Sequence, residues 1–304
     1  LAVDVTARVG TLIFRNPLFL ASGFLDESAA SMLRAWSNGA GGVVTKSIGS
    51  QPRLGHPNPT LVAVRGGYLN AMGLPNPGID AYVHEVEAAI EGGATVVGSI
   101  FGATEQEFAD LTGRMDQAGV SAIELNVSCP HAKGVGTDIG CNPKLLESVT
   151  RAARGATKKP LWVKLSPNVV SVADMARIAV DAGADVLVCV NTLKSIAIDA
   201  ETRTPLLGNR VGGFSGPGLK PIALRAVWDV AQAVEVPVVG VGGIMDAKDV
   251  VEFLLAGASA VQLGSVLIEK DAPVFAQMAK DLAHWMEARG VARLSDLVGG
   301  ALPG

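Results

Sequence analysis

Eight times along this chain a short β-branched run gives way to a stretch of helical period, and that repetition restricts the fold more than any other feature. The runs are PLFLAS (17–22), GGVVTK (41–46), ATVVGSI (94–100), SAIELNV (121–127), PLWVKLS (160–166), ADVLVCVN (184–191), VPVVGVGG (236–243) and ASAVQLGS (258–265). Stretches such as DAYVHEVEAAIEGG, EQEFADLTGRMDQAG and PVFAQMAKDLAHWMEARG follow them, often closing on glycine before the next run. The runs are apolar throughout rather than alternating, which predicts strands buried on both faces, hence a parallel sheet covered by helices.

Eight such units in roughly 250 residues is the count and size of a (β/α)8 barrel; an open doubly wound sheet usually needs fewer. The expected fold is an α/β (β/α)8 TIM barrel forming one domain over residues 1–304. Ahead of the barrel, VDVTARVGTLIFRN reads as an N-terminal β-hairpin about Val9-Gly10, placed to plug the barrel floor. Two connections are long, Ser47 to Gly78 after the second strand and Thr192 to Gly218 after the sixth. Both follow strands, so they fall on the C-terminal face, where barrel enzymes keep their active sites.

Composition narrows the function. The chain is 49% apolar but only 5% aromatic, so its core is built from Val, Ile, Leu and Ala. A net charge of −4 with scattered Lys and Arg offers no basic stripe for nucleic acid and no cationic amphipathic helix for a membrane surface. No apolar run reaches the ~18 residues of a membrane span, and LAVDVTARVG lacks the pattern of a signal peptide. Cys129, Cys141 and Cys189 form no even set and no CxxC pair, which fits a reducing, cytoplasmic setting. Three cysteines also cannot supply the four ligands of an iron–sulfur cluster.

The C-terminal ends of the eight strands carry Ser22, Lys46, Ser99, Asn126, Lys164, Asn191, the pair Gly242 and Gly243, and the pair Gly264 and Ser265. One polar residue there would be a solvated loop residue. Eight out of eight predict a polar, partly cationic pocket at the mouth. The glycine turns after strands seven and eight, with GFSGPG (213–218) nearby, can close backbone amides on a phosphate, helped by a helix N-terminus. No GxGxxG opens a helix after the first strand, so a Rossmann site is not expected. Lys164 would point a cation inward, where an unpartnered lysine is costly. A flavin or a phosphosugar would satisfy it, and so would a salt bridge to Glu124 on the neighbouring strand.

Cys129, in ELNVSCPH, follows the fourth strand and so belongs at the mouth, with Pro130 biasing it to an extended backbone. Nucleophile, metal ligand and base compete as its role. Only His131 stands near enough to suggest metal, and no metal site is expected. Beside a flavin, the base reading gains. Cys189 lies inside a buried run, and Cys141, at the opening of the fourth helix, also reads as structural. His56, His84 and His284 read as loop or helix-face residues without partners.

NVSCPH, LNAMGLPNPG (69–78), VTKSI (44–48), GGFSGPGLKPIALR (212–225) and VGVGGI together resemble the catalytic subunit of class 1 dihydroorotate dehydrogenases, essentially end to end. Within that class, SIGSQPRLGHPNPTLVAVRGGYLNAMGLPNPG is similar to the 1B branch, whose FMN subunit works with a second subunit carrying FAD and a 2Fe–2S cluster and uses NAD+. The 1A branch uses fumarate instead. The resemblance implies oxidation of dihydroorotate to orotate, with Cys129 taking a proton from C5 while C6 gives hydride to N5 of FMN.

It further implies that Lys46, Asn70, Asn126 and Asn191 hold the substrate's carboxylate and pyrimidine edge, with Ala71, Met72, Gly73, Leu74 and Thr192 lining the same pocket. The implied FMN contacts are Ser22, Lys46, Ser47, Ser99, Asn126, Lys164, Val190, Gly216, Gly242, Gly243, Gly264 and Ser265. The implied assembly is a heterotetramer of two subunits of each kind around a homodimer core. Two positions depart from the family pattern. Ser99 stands where Asn is usual, and His131 stands where 1B members more often have Asn, the His form being the one seen in dihydropyrimidine dehydrogenases.

Overall fold

The computed structural model describes residues 3–127 and 137–303. The chain enters through β1 (Ala7–Val9) and β2 (Leu12–Phe14), an antiparallel hairpin, and then lays down β3 (Leu18–Leu20), α1 (Ala29–Ser37) and β4 (Gly42–Val44). The first long connection carries β5 (Leu61–Val64) and β6 (Gly67–Asn70) before α2 (Ile79–Glu91). Next come β7 (Val96–Ile100), α3 (Glu105–Gln117), β8 (Ala122–Asn126), α4 (Thr137–Cys141), α5 (Pro143–Ala156), β9 (Leu161–Leu165), α6 (Val172–Asp181) and β10 (Val186–Cys189). The second long connection holds β11 (Leu193–Ser195), β12 (Ile198–Asp199), β13 (Thr204–Pro205) and β14 (Gly212–Ser215). The chain closes with α7 (Lys220–Ala231), β15 (Val238–Val241), α8 (Ala247–Leu255), β16 (Ala258–Leu263), α9 (Val266–Lys270) and α10 (Val274–Glu287).

Eight parallel strands close into a barrel in the order β10-β15-β16-β3-β4-β7-β8-β9, and each of the eight expected runs supplies one of them. β3, β4, β7, β8, β9 and β10 are buried at every position, as strands packed between lumen and helices must be. The helices start where side chains can take up their free amides. Thr104, Ser171 and Asp246 cap α3, α6 and α8, and Asn142 caps α5 with Pro143 in its first turn.

The hairpin does plug the floor. Its Phe14 packs on Phe19 of β3 at 4.5 Å between ring centroids, and Phe19 stacks on Trp162 of β9 at 5.9 Å. The two long connections are not irregular loops. They pair with each other in one antiparallel sheet, β11-β14-β6-β5, with register such as Gly213↔Asn70 and Leu193↔Phe214. That sheet has a small core of its own in Leu69, Ala71 and Leu207, against which Val62, Val64, Ala197 and Phe214 pack. Cys141 ends α4 rather than opening a helix and is exposed, with its thiol 3.5 Å from Asn168 O, so it does not pack in the core. Cys189 is fully buried, and burial pushes its thiol up and keeps it neutral. No helix among the described residues is long and apolar enough to cross a membrane.

Candidate active site at the barrel mouth

The C-terminal ends of β3, β9, β10, β15 and β16 surround a cavity. Ser22, Lys164, Val190, Asn191, Thr192, Gly242, Gly243, Gly264 and Ser265, all named from the sequence or its resemblance, stand in its wall. Phe24, Ser215, Leu219, Val241, Ile244 and Gln262 share that wall and were not expected there.

Beside the cavity, Ser47 is the centre of a hydrogen-bonded group. Its hydroxyl accepts from Asn126 Nδ2 at 2.9 Å and lies 3.1 Å from Ser22 Oγ and 2.8 Å from Ser99 Oγ. A hydroxyl has one proton to give, so one of the two neighbouring serines must donate to Ser47 and the other accept. Asn191 Nδ2 donates to Asn126 Oδ1 at 3.3 Å, while Asn191 Oδ1 accepts from the Thr192 amide at 2.8 Å. The two asparagines are thus locked in opposite senses, and each amide's orientation follows from the other's. Ser99 is fully buried behind Ser47 and does not reach the cavity wall; its amide donates to Thr45 Oγ1 at 2.8 Å.

Lys46 lies next to this group. Its Nζ is 3.5 Å from Glu27 Oε1, and its amide donates to Tyr82 Oη at 3.3 Å. The Tyr82 hydroxyl in turn donates to Asp26 O, and Asp26 Oδ2 accepts from the Gly23 amide. Asp26 is fully buried, and its Oδ1 has no hydrogen-bond partner. Burial pushes its carboxyl up to about 6, against the pull of the Lys46 charge. The Tyr82 phenol is also pushed up by burial.

Asn70 sits at the end of β6 and donates through Nδ2 to Gly213 O at 3.2 Å. A side chain at Gly213 would collide with Thr192, so Asn70 stands beside that cavity residue. Ala71, Met72, Gly73 and Leu74 do not line the cavity. The Ala71 amide donates to Thr60 O, Met72 O accepts from the His56 amide, and Gly73 abuts the His56 ring. His56 is therefore not without contacts, and His84 pairs with Glu87 at 3.3 Å; both differ from the sequence expectation. Cys129 and His131 lie outside the described residues, as does the stretch that joins Val127 to α4.

The glycine turns are obligatory. Gly243 has φ +72°, and a Cβ there would fall 2.6 Å from Lys220 N and 2.7 Å from Gly216 O. Gly216 is set back from the cavity and supports that turn. Among the described residues, no backbone acceptor of the chain takes the amides of Gly243, Gly264 or Ser265. Free amides at one end, the Lys164 ammonium at another and apolar Val190, Leu219, Val241 and Ile244 between them suit a flat, phosphorylated heterocycle. Among the described residues no group of His, Cys, Asp and Glu is arranged to hold a metal ion.

The family model for dihydroorotate dehydrogenase matches residues 5–286. A relative from Methanocella arvoryzae, named dihydroorotate dehydrogenase B (NAD(+)), catalytic subunit, is 45% identical over 98% of this chain and 97% of its own length. One of the same name from Thermococcus kodakarensis is 47% identical over 98% of both chains. Among solved structures, DHODH from Eimeria tenella in complex with ferulenol superimposes with a TM-score of 0.86, covering 99% of this chain and 89% of that one. At 23% identity that likeness speaks for the fold.

Proposed function

This chain belongs to the dihydroorotate dehydrogenase family, and on that premise we propose that it oxidises (S)-dihydroorotate to orotate in pyrimidine biosynthesis, with FMN bound at the barrel mouth. The observation that carries the reading is the convergence on one cavity of free glycine-turn amides, a buried lysine and Asn191, itself held by Asn126 beside the cavity.

The amides of Gly243, Gly264 and Ser265 would take the phosphate, and Val190 and Leu219 would border the ring system. Lys164 would face its electron-rich edge. When bound, FMN supplies the acceptor for the hydride that leaves C6. Asn126, Asn191 and Thr192, with Lys46 and Asn70 beside them, present both donors and acceptors, as a planar imide ring with a carboxylate requires. Cys129 is assigned as the base that removes the C5 proton. It lies three positions past Asn126, the last residue of β8, and a thiol is a competent base where the site lets thiolate form.

The whole chain acts as one FMN-binding barrel domain in the cytoplasm. Its three cysteines cannot hold a 2Fe–2S cluster, so electrons bound for NAD+ would leave through a partner subunit carrying FAD and that cluster, two of each subunit forming the assembly. The NAD(+) and catalytic-subunit wording of the relatives' names supports such a partner.

The test is turnover of dihydroorotate by the isolated FMN-loaded protein, comparing an artificial acceptor, NAD+ and fumarate. The expected result is fast reduction of the artificial acceptor and slow reduction of NAD+ until an iron–sulfur flavoprotein is added. A colourless protein without dihydroorotate turnover contradicts the reading, and fast fumarate reduction contradicts the NAD+ assignment. Cys129→Ala should lower turnover by about 10²–10⁴-fold while FMN stays bound.

A further inference from the structure

Just below the cavity three polar side chains meet inside the barrel. Glu124 of β8 and Gln262 of β16 come from strands on opposite sides of the eight-membered ring, and Lys164 comes from β9, next to β8. Gln262 Nε2 donates to Glu124 Oε2 at 2.6 Å, and Lys164 Nζ donates to Gln262 Oε1 at 3.1 Å. The direct separation of Lys164 Nζ from Glu124 Oε1 is 3.9 Å. All three residues are buried, Glu124 completely. The amide can point only one way, its NH2 to the carboxylate and its oxygen to the ammonium.

An ion pair kept for stability alone would close to full contact, because buried charges are costly unless their hydrogen bonds are made. Here Gln262 spaces the charges, and Glu124 Oε1 has no hydrogen-bond partner. Lys164 and Gln262 reach the cavity wall and Glu124 does not. The carboxylate therefore acts on the cavity only through the lysine and the amide in front of it.

We infer that Glu124 and Gln262 are positioning residues that hold Lys164 at the cavity and set how much of its positive charge a bound flavin feels. The inference rests on the flavin reading above. A reduced flavin is the more negative form, so a nearby cation favours it, and a carboxylate behind that cation offsets part of the effect. Glu124→Gln removes the negative charge at nearly constant volume. Gln262→Met removes the spacer, leaves both charges in place and lets the ammonium close on the carboxylate, away from the flavin. The two substitutions therefore move one quantity in opposite directions, which loss of packing would not do.

That quantity is the midpoint potential of FMN in the loaded protein, measured by equilibration with a reference dye. Glu124→Gln should raise the preference for reduced over oxidised FMN about tenfold, or ~30 mV for a two-electron couple. Gln262→Met should lower it about threefold, or ~15 mV. Potentials unchanged in both variants, or shifted in the same direction, overturn the role while leaving the flavin reading intact. If Glu124→Gln fails to fold, Gln262→Met decides alone, since it alters no charge: a lowered potential supports the role and an unchanged or raised one overturns it. A wild-type chain that takes up no FMN overturns this inference together with the reading it rests on.

Discussion

At the floor of the barrel Phe14, Phe19 and Trp162 meet ring against ring, all of them essentially inaccessible to water. At the mouth the cavity is lined by hydroxyls, amides and a lysine, with Ser47, Asn126 and Asn191 hydrogen-bonded in a row and Lys164 to Gln262. β9 contributes to both ends, Trp162 below and Lys164 two residues above it, so alternation along one strand serves packing and then chemistry. The lesson is a division of labour. The floor holds the barrel closed with packed rings, and the mouth gathers hydrogen-bonded polar side chains beside the cavity.

Breaking the floor should cost the most. Trp162→Ala removes the largest fully buried side chain and is expected to lose about 3–5 kcal/mol of stability in denaturant unfolding. If instead stability is unchanged and only ligand binding falls, the division between the two ends is wrong.

Asp26, behind the mouth, should show the opposite balance. Its carboxyl is raised in the fold to about 6, so the native state holds its proton more tightly than the unfolded chain. The stabilising contribution is full below about pH 4 and is lost as pH rises through about 6. Asp26→Asn stays neutral and can still accept from Gly23. It should match the wild type near pH 4 and exceed it by about 2–3 kcal/mol at pH 7–8. Parallel stability–pH curves for the two proteins would contradict this.

The smallest effect belongs to the mouth itself. Asn191→Ala should weaken orotate binding to the FMN-loaded protein about tenfold, roughly 1.4 kcal/mol, with little change in melting temperature. A large loss of stability with unchanged orotate affinity would turn Asn191 into a structural residue and blur the comparison.

Much of this was legible in the sequence because the barrel strands are apolar runs whose burial depends only on local composition. All eight of them followed from that, the floor hairpin from the turn at Val9-Gly10, and the polar strand ends in the cavity wall from their place after those runs, whereas Val190 and Thr192 came from the family resemblance. The sheet formed by β5, β6, β11 and β14 was not legible. Its strands are short and half-exposed, and its pairing joins segments about 140 residues apart, as in Gly213↔Asn70. Gln262 escaped for a similar reason, since one glutamine in ASAVQLGS gains meaning only from Glu124 across the barrel. The salt bridge between Lys164 and Glu124 exists at 3.9 Å, with Gln262 hydrogen-bonded to both partners. Ser99, a departure from the family's asparagine, turned out to stand behind Ser47 instead of in the cavity wall.

The central claim is that the mouth binds FMN and dihydroorotate together for oxidation. It is tested most directly by mixing the FMN-loaded protein with dihydroorotate without oxygen or any other acceptor. The account predicts that the flavin absorbance bleaches and that one orotate appears per FMN. A flavin that stays oxidised, with no orotate formed, would contradict it.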